Sequence, residues 1–479
     1  MIKRVPFLFL TVAVLLGLQF TSAAGQPPRQ IKETFLSPYD PNWDLETYRI
    51  SPDGRHIAYR CYTDQGLYVV IDQSRSKTYE SLGCVTFSPD SQRTVYCEEG
   101  FIILDGHEDK VYDEVGEYCF SPDSKHFIYS AYKDDKWVVV LDGNEEEKNY
   151  DYVYDLVYSR DSRHLAYRVI DYGQEGIIHN PESTILDGKR GNSYVSLGYG
   201  FAKGTIAFSP NSNHMACITL RGMNYMAVLN GMEGKAYDLI KPGLEFGADG
   251  TLVFIAASRD EYFIVRNGVE GKHYENIVAI KSASSGPSEP QEKSFLMSPD
   301  ALHLAYVAQQ GKKQVLVIDG KEEKPYDEIG AFVFGSTGHF AYSARAGHKW
   351  LVVTDGQEGK HYGKGINDLC LSVDGRCAYL AMDALGKTVL VVSNVEQKKY
   401  VAVSGFAFSP DGGHFICAAK NGAKYSIYVD GQPGKEYNDI LAWVKPQGIF
   451  FDADDAFHYI ARNGDAYYLV EESLVSLAF

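Results

Sequence analysis

The chain has 479 residues, with 46 lysines and arginines against 63 aspartates and glutamates, so its formal net charge is −17. This acidic balance argues against a protein that binds nucleic acid or an anionic membrane, because both need an electropositive partner. A hydrophobic content of 45% excludes a wholly disordered chain. Tyrosine is unusually frequent, at 35 residues, and this excess needs a structural explanation.

Residues 1–24 have the pattern of a secretory signal peptide. Two basic residues precede an apolar run from Val5 to Phe20, and small residues follow at a plausible cleavage point. The alternative is an uncleaved membrane anchor, but the run is short for the roughly 20 residues that a spanning helix needs. We therefore expect a secreted protein, periplasmic or extracellular, with no membrane insertion after the signal is removed.

A short phrase recurs along the rest of the chain. Its clearest form is Ser-Pro-Asp-Gly followed by Ile-Ala-Tyr, as at Ser51–Tyr59. Complete and degraded copies lie about 37 residues apart, with wider spacings where segments are inserted. The eleven anchor residues are Pro52, Pro89, Pro122, Arg160, Pro210, Ala248, Pro299, Ser336, Val373, Pro410 and Ala453. Such a period indicates a repeat architecture.

Each copy predicts four short antiparallel strands. The Ser-Pro-Asp-Gly phrase suits a tight turn between the first two strands. An Asp-Gly pair, as at Asp142-Gly143, predicts a hairpin between the last two. Four such strands in every 40 residues or so are typical of a β-propeller. The sequence therefore predicts an all-β fold of about eleven four-stranded blades.

Eleven blades exceed the roughly four to eight of ordinary propellers. The widest spacing contains residues 281–293, which are rich in Ser, Pro and Gly and are typical of a linker. We therefore predict two tandem propellers, with six blades in residues 31–280 and five in residues 294–479. A single oversized ring, or two rings that exchange terminal blades, is the alternative.

Ten tyrosines occupy one place after the second turn, and in nine of them a lysine lies two residues earlier. They are Tyr79, Tyr112, Tyr150, Tyr194, Tyr237, Tyr274, Tyr326, Tyr362, Tyr400 and Tyr437. One interpretation is a ring of Lys/Tyr binding pockets, one per blade. The other, which we favour, is that the tyrosine covers the blade edge while the lysine protects that edge from aggregation.

Eight histidines recur after the first turn. They are His56, His126, His164, His214, His303, His339, His414 and His458. Metal binding or pH sensing is one interpretation. Histidines on separate blades cannot meet at one metal, so we expect each to bond to a neighbouring aspartate or to the backbone.

The sequence contains no nucleophile elbow, no His-Glu-x-x-His and no Gly-rich phosphate loop before a helix. Asp452–Asp455 resembles half of a calcium loop but lacks its later Gly and Glu. We expect no metal and no cofactor.

Cys84 and Cys97 flank a turn and could form a disulfide across one hairpin, whereas most of the eight cysteines fit core positions.

The long connections are the candidate binding regions. In a propeller the two kinds of tight turn lie on one face, and the other connections lie on the opposite face. The long stretches 171–183, 197–204, 278–293 and 443–448 all belong to the second set. We therefore expect a binding face there; the alternative is that these loops only tolerate insertion. The candidate binding residues are Asp171, Tyr172, Glu175, His179, Lys281 and Trp443.

The phrase Phe-Ser-Pro-Asp-Gly, as at Phe408–Gly412, resembles the WD-like repeat of TolB-type propellers and of the propeller domains of prolyl oligopeptidases. The resemblance extends from about residue 46 to the end and implies a fold more than an activity. The second-turn phrase, Asp-Gly-x-Glu-Gly-Lys-x-Tyr, departs from that family.

These features predict a non-catalytic scaffold that binds a protein, peptide or glycan through the face with long loops. The alternative is a propeller hydrolase or lyase with a site at a ring mouth, because propeller enzymes need no linear motif. A third possibility is a purely structural surface protein.

Overall fold

A computed structural model describes residues 29–42, 47–171, 181–195, 204–282, 292–397, 400–443 and 448–474, without the side chains of residues 281, 282, 292, 404 and 443. The described chain is almost entirely antiparallel β-sheet, with one short 3-10 helix at Leu441–Trp443. Its strands form ten sheets, and one of these joins two four-stranded units through the pair Val195 and Leu220. The strand pairing thus defines eleven units, numbered here in chain order. The predicted all-β propeller fold is confirmed.

The first four units contain sixteen strands. In order, they are Arg49–Ile50, Ile57–Thr63, Gly66–Ile71 and Ser74–Arg75 in unit 1; Thr86–Phe87, Thr94–Glu98, Phe101–Leu104 and His107–Glu108 in unit 2; Glu114–Phe120, Phe127–Lys133, Lys136–Leu141 and Asn144–Tyr150 in unit 3; and Tyr152–Tyr158, Leu165–Ile170, Pro181–Leu186 and Lys189–Val195 in unit 4.

In units 6 and 7 the first strand is split into two pieces. The strands are Ile206–Phe208, Met215–Arg221, Asn224–Leu229 and Met232–Tyr237 in unit 5; Leu239–Ile240 with Glu245–Phe246, Leu252–Ser258, Glu261–Arg266 and Val269–Glu270 in unit 6; Asn276–Val278 with Leu296–Met297, Leu304–Gln310, Lys313–Ile318 and Lys321–Glu322 in unit 7; and Glu328–Phe334, Phe340–Ala346, Lys349–Thr354 and Gln357–Glu358 in unit 8.

The last unit takes its fourth strand from the other end of the chain. The strands are Gly365–Leu371, Cys377–Met382, Thr388–Val392 and Val395–Glu396 in unit 9; Ala402–Phe408, Phe415–Asn421, Lys424–Val429 and Gln432–Tyr437 in unit 10; and Asp439–Ile440 with Ile449–Ala453, Ala456–Asn463, Ala466–Leu474 and Arg29–Pro38 in unit 11.

Both faces of each sheet are covered by neighbouring units, so the hydrophobic core lies between consecutive units. In the second strand of unit 1, Ile57 and Tyr59 pack toward unit 11, while Ala58 packs toward unit 2. This alternation follows from the two-residue period of a strand. It explains why the second and third strands are apolar at nearly every position.

The core is continuous across the predicted boundary between two rings. Val253 and Ile255 of unit 6 pack with Leu304 and Tyr306 of unit 7. Two separate rings would need unit 6 to pack on unit 1. Instead, units 6 and 7 pack on each other as neighbours in one continuous series of units.

The series closes where its ends meet. Residues of unit 11, including Ile460 and Tyr467, share a core with Ile57 and Tyr59 of unit 1. The N-terminal strand Arg29–Pro38 pairs antiparallel with Ala466–Leu474 and becomes the outermost strand of unit 11. On these contacts we propose a single ring, one of the alternatives that the repeat left open, while the division into two rings stays a prediction.

Candidate functional site

The face that carries the tight turns, here called the turn face, is held by hydrogen bonds between units. In unit 2, the Ser88 hydroxyl donates to Asp90 at 2.6 Å, and the backbone N–H of Arg93 donates back to Ser88 Oγ at 2.9 Å. The Asp90 backbone N–H then donates to Ser124 Oγ of unit 3 at 3.0 Å. Asp53, Asp123 and Asp161 make the same link to the next unit. The polar side chains of the turn therefore form hydrogen bonds within the fold.

The repeated histidines complete this face. His126 Nδ1 lies 2.7 Å from Asp142 Oδ2, and Asp142 Oδ1 accepts the backbone N–H of Phe127 at 2.8 Å. Asp142 and Gly143 both have positive φ, as a two-residue hairpin turn requires. The same His–Asp pair forms at His56, His164, His303, His339 and His414. The structural interpretation is confirmed for these six and for His458, which bonds to Asp452 at 2.8 Å, whereas His214 bonds to the Asn230 side chain at 2.7 Å.

A glycine of the turn face gives a direct test of this packing. Gly375 has a φ of +82°, and a Cβ at this position would lie 2.8 Å from His339 Nδ1 of the preceding unit. We expect Gly375→Ala to lower the free energy of unfolding by about 2–3 kcal/mol, because backbone strain and a steric clash act together.

The matched control is Gly143→Ala, where φ is +78° but nothing lies within 4 Å of the added methyl group. This variant should lose only about 1 kcal/mol. Equal losses in a urea titration of both variants would show that the histidine contact does not restrict this turn.

The recurring Lys and Tyr bind the next unit through one glutamate. The Tyr112 phenol donates to Glu145 Oε1 at 3.1 Å, and Lys110 forms an ion pair with the same carboxylate. Glu145 belongs to unit 3, whereas Lys110 and Tyr112 belong to the end of unit 2. We call this arrangement of lysine, tyrosine and glutamate the clasp.

The clasp recurs around the ring. Five complete examples are Lys77–Tyr79–Glu108, Lys110–Tyr112–Glu145, Lys272–Tyr274–Glu322, Lys324–Tyr326–Glu358 and Lys435–Tyr437–Glu33. At a sixth position Lys235 forms the ion pair with Glu270 without a hydrogen bond from the Tyr237 phenol. The third joins units 6 and 7. The fifth joins unit 10 to the N-terminal strand, where Glu33 takes the place of the turn glutamate.

The clasp revises our interpretation of the repeated tyrosine. The tyrosine is buried at the blade edge as expected, since Tyr112 is 7% exposed. The lysine, however, binds a partner in the next unit instead of only protecting the edge. The sequence contained a signal for this contact between units. In most copies of the repeat, a glutamate lies two residues before the repeated lysine of the same unit, where the lysine of the preceding unit can reach it.

Acid should weaken the clasp. The Lys110 and Lys133 ammonium groups and the Tyr112 phenol lower the pKa of Glu145 to about 2 from an ordinary 4.5. A carboxyl whose pKa is lowered by folding stabilises the protein above its unfolded pKa and stops doing so as the pH falls through its folded pKa. The contribution of Glu145 should therefore be complete at pH 7 and disappear between about pH 4.5 and pH 2.

The corresponding variant is Glu145→Gln. Urea titrations should show its largest deficit in free energy of unfolding at pH 7, shrinking steadily toward pH 2. Glu147→Gln, at an exposed position two residues away, is the control and should show little deficit. A deficit of Glu145→Gln that does not change with pH would contradict this role.

The predicted binding residues lie in three separate regions. Asp171 follows the second strand of unit 4, accepts a hydrogen bond from Arg190 at 2.5 Å, and donates its backbone N–H to the Pro181 carbonyl at 3.1 Å. Asp171 and Pro181 thus close the base of the segment between them. Tyr172, Glu175 and His179 lie outside the described residues.

The other two regions interrupt the first strand of a unit. Lys281 lies in the strand Ile280–Ser282, which pairs with Glu292–Lys293 and, in parallel, with the first strand of unit 8. Trp443 ends the 3-10 helix between the two pieces of the first strand of unit 11. The first strands of consecutive units adjoin one another, which places them on the inner side of the ring. The two insertions therefore start on the inner side of the ring.

These regions belong to units 4, 7 and 11, so the structure does not gather the six predicted residues into one pocket. The face opposite the tight turns is here called the loop face. Asp171 lies in a connection on that face, whereas the segments of Lys281 and Trp443 interrupt the first strands of their units. Residues 281–293, predicted as a linker, include a short hairpin attached to unit 8.

A buried polar cluster lies at the base of the unit 4 insertion, and the sequence analysis missed it. The side chains of Arg168 and Glu182 are both 0% exposed and form an ion pair. Arg168 also donates to Thr184 Oγ1 at 3.0 Å. The chemical signal was an arginine within the otherwise apolar strand Leu165–Ile170.

A second buried carboxylate, Asp155, holds the connection into unit 5. Asp155 has a φ of 54°, and its carboxylate accepts hydrogen bonds from Thr205 N, Thr205 Oγ1 and Ile206 N at 2.9, 2.6 and 3.0 Å. These bonds fix the chain where the insertion at 197–204 returns to the sheet.

All eight cysteines are free thiols in the structure, including Cys84 and Cys97. Among the described residues, no group of three or more His, Cys, Asp or Glu is arranged to hold a metal ion. Within the same part of the chain, no helix is both long and apolar enough to span a membrane.

Comparisons with known proteins identify propellers among solved structures. No family model and no curated protein matches the sequence. The Dos1 propeller is 10% identical, with a TM-score of 0.29 over 91% of this chain and 95% of its own. TolB from Acinetobacter baumannii is 13% identical, with a TM-score of 0.27 over 57% and 77%. A streptogramin B lyase is 15% identical, with a TM-score of 0.25 over 55% and 89%. These low scores carry no argument, so the fold assignment rests on the strand pairing of the chain itself.

Proposed function

We propose that the chain is an exported, non-catalytic β-propeller scaffold that binds a protein, peptide or glycan through its loop face. One observation carries the proposal: none of the long insertions interrupts a tight turn of the turn face, where the turns are short and nearly uniform in sequence. Loops that vary on a rigid scaffold are the usual place for binding residues.

The contacts of the repeated polar and charged side chains also support the assignment of binding to the loop face. The repeated Ser, Asp and His side chains of the turn face bond to one another. The clasps use lysines, tyrosines and glutamates at the outer strands. These repeated side chains are therefore explained by the contacts that stabilise the fold. The segments outside the repeat remain as the candidates for binding a partner.

The position of the insertions suggests the kind of partner. Lys281 and Trp443 lie in segments that start from first strands, while Asp171 lies in a connection farther along its sheet. A ligand that engages all three must extend across the ring. A folded protein or an extended chain such as a peptide or glycan meets this requirement, and the partner is proposed on that ground.

The test compares ligand capture by matched loop variants. The full chain is immobilised through a C-terminal tag and exposed to the exported fraction of its source. In one variant, residues 172–180 are replaced by Asp-Gly; in the control, a Gly/Ser segment of equal length is inserted after Ser336 on the turn face. The proposal predicts that a partner retained by the unaltered protein and the control is lost by the loop variant.

Equal recovery of that partner by all three proteins would contradict a role for this insertion. Corresponding replacements of residues 283–291 and 444–447 then determine whether the other insertions contribute. Retention of the partner by all the loop variants would overturn the loop-face proposal.

A further inference from the structure

The loop face carries many exposed carboxylates on units 1–3. They lie on the hairpin tips between the second and third strands and on the connections between consecutive units. We call this set the acidic sector, and its members are Asp64, Glu80, Glu99, Asp113, Glu114, Asp134 and Asp135. The lysines nearest to them, Lys133 and Lys136, are already paired with Glu145 and Asp151. The acidic sector therefore has no neutralising cations among the described side chains beside it.

The opposite charge lies on the loop face of units 7–10. We call this set the basic sector, and its members are Lys312, Lys349, Lys364, Lys387, Lys420 and Lys424. The first four are exposed and the last two are half-buried. Lys364, in the connection between units 8 and 9, reaches the tip of unit 9, because its Nζ would lie 3.4 Å from a Cβ added at Gly386. The basic sector is therefore continuous across these two units.

Carboxylates close to the basic sector leave its charge largely unbalanced. Asp327 and Glu328 form ion pairs with other cations, at 2.6 and 3.0 Å. Asp383 accepts backbone N–H groups of its own turn, two of them at 2.9 Å. Asp368 is exposed but lies within the first strand of unit 9, not on a tip. The listed lysines are thus free to bind carboxylates from outside the chain.

Each sector also has an exposed apolar side chain beside its charges. Leu385, at the tip of unit 9, is 80% exposed, and Tyr62, at the tip of unit 1, is 51% exposed. Burying such side chains on association removes apolar area from water and adds a contribution that salt does not screen. Charged tips with apolar side chains among them are a composition that protein–protein interfaces share.

We propose that two copies of the chain bind each other loop face to loop face, with the acidic sector of each copy on the basic sector of the other. Both sectors lie on one face, so a two-fold axis brings each onto its opposite in the partner. The charges of the chain itself thus match the charges of its occupant, and this match sets the orientation of the pair. The contacts use repeat tips and not the insertions, so the inference goes beyond the function proposed above.

Sedimentation equilibrium of the full chain tests the proposal. At about 100 mM NaCl the screening length is about 10 Å, so facing charges still attract while the overall repulsion of two acidic chains is largely screened. We expect dimers there with a Kd on the order of 10 μM. The Kd should rise at least about tenfold at about 500 mM NaCl, because exposed charge pairs are then screened as well.

Two variants test the contact itself. The acidic-sector variant combines Glu80→Lys, Glu99→Lys and Glu114→Lys. The basic-sector variant combines Lys349→Glu, Lys364→Glu and Lys387→Glu. Each leaves its sector with almost no net charge, so each alone should dimerise at least about tenfold more weakly. An equimolar mixture should dimerise more tightly than either variant alone, because the first variant keeps its basic sector and the second keeps its acidic sector.

The control makes the same change of net charge on the turn face. It combines Lys125→Glu, Lys189→Glu and Lys321→Glu, all at exposed positions. This variant should dimerise like the unaltered chain. Urea titrations establish that each variant is folded, and glutamine at the same positions replaces any set that is not.

Four results would overturn the proposal. They are a monomeric unaltered chain at about 100 mM NaCl, a mixture that dimerises no more tightly than its separate variants, an equal loss in the turn-face control, and saturable binding of poly-L-glutamate by a chain that stays monomeric. The last result would assign the basic sector to an acidic partner chain. No outside partner is present in the sedimentation measurements, so their failure would leave the loop-face function to its own test with the insertion variants.

Discussion

Removal of residues 29–38 should open the ring and lower the free energy of unfolding by at least about 5 kcal/mol. This strand forms nine register pairs with the third strand of unit 11. Its removal takes away the backbone hydrogen bonds of the sheet, the burial of Leu36 and the clasp of Glu33 with Lys435 and Tyr437. The measurement is a urea titration of the shortened chain, monitored by tyrosine fluorescence.

A peptide of residues 29–38 added in trans is the control for this deletion. It should bind the open edge of unit 11 and return the midpoint of unfolding toward that of the full chain. A peptide of the same composition in scrambled order should have no effect. Unfolding of the shortened chain at the same urea concentration as the full chain would show that the N-terminal strand does not close the fold.

The second large effect is expected at the buried pair of Arg168 and Glu182. Arg168→Met alone, or Glu182→Leu alone, leaves one charge buried without its partner, and each should cost about 3–5 kcal/mol. The double variant removes both charges and should recover most of that loss. Urea titrations of the four proteins form a double-mutant cycle that measures the coupling.

Lys235 and Glu270 provide the exposed comparison. They form a clasp ion pair in which the lysine side chain is 62% exposed, so Lys235→Met should cost less than about 1 kcal/mol. Additive losses at Arg168 and Glu182, with no recovery in the double variant, would contradict the assignment of these residues as a coupled buried pair. The pair would then not be what holds the base of the unit 4 insertion.

The repeated parts of the fold could be predicted from the sequence because local chemistry determines them. Pro and Asp in the first turn and Asp-Gly in the second fix the chain reversals. The strands of Val, Ile, Tyr and Ala between them are buried on both faces, as at Ile57–Tyr59. The role of the turn histidine followed from the same local geometry, since His126 and Asp142 face each other across one hairpin.

The closure of the ring is not a local property, and the sequence left it open. The pairing of Arg29–Pro38 with Ala466–Leu474 joins residues more than 400 positions apart. Nothing in the repeat phrase distinguishes unit 6 packing on unit 7 from unit 6 packing on unit 1. Only the contacts of Val253 and Leu304, and of Ile460 and Ile57, make that distinction.

The candidate site was only partly predictable for a related reason. Insertions are visible as breaks in the period, so the candidate segments could be located, but the partners of Asp171 across the unit depend on the folded sheet. The buried Arg168 and Glu182 are separated in sequence by the insertion itself.

Cleavage within residues 283–291 tests the single closed ring most directly. A protease site placed in this segment divides the full chain into two parts, which correspond to units 1–6 with the N-terminal strand and to units 7–11. A single ring holds these parts together at two places, through the core and clasp between units 6 and 7 and through the contacts of unit 11 with unit 1. The account predicts that the cleaved parts co-elute in native size-exclusion chromatography and separate only in denaturant. Two folded parts that elute separately under native conditions would contradict it.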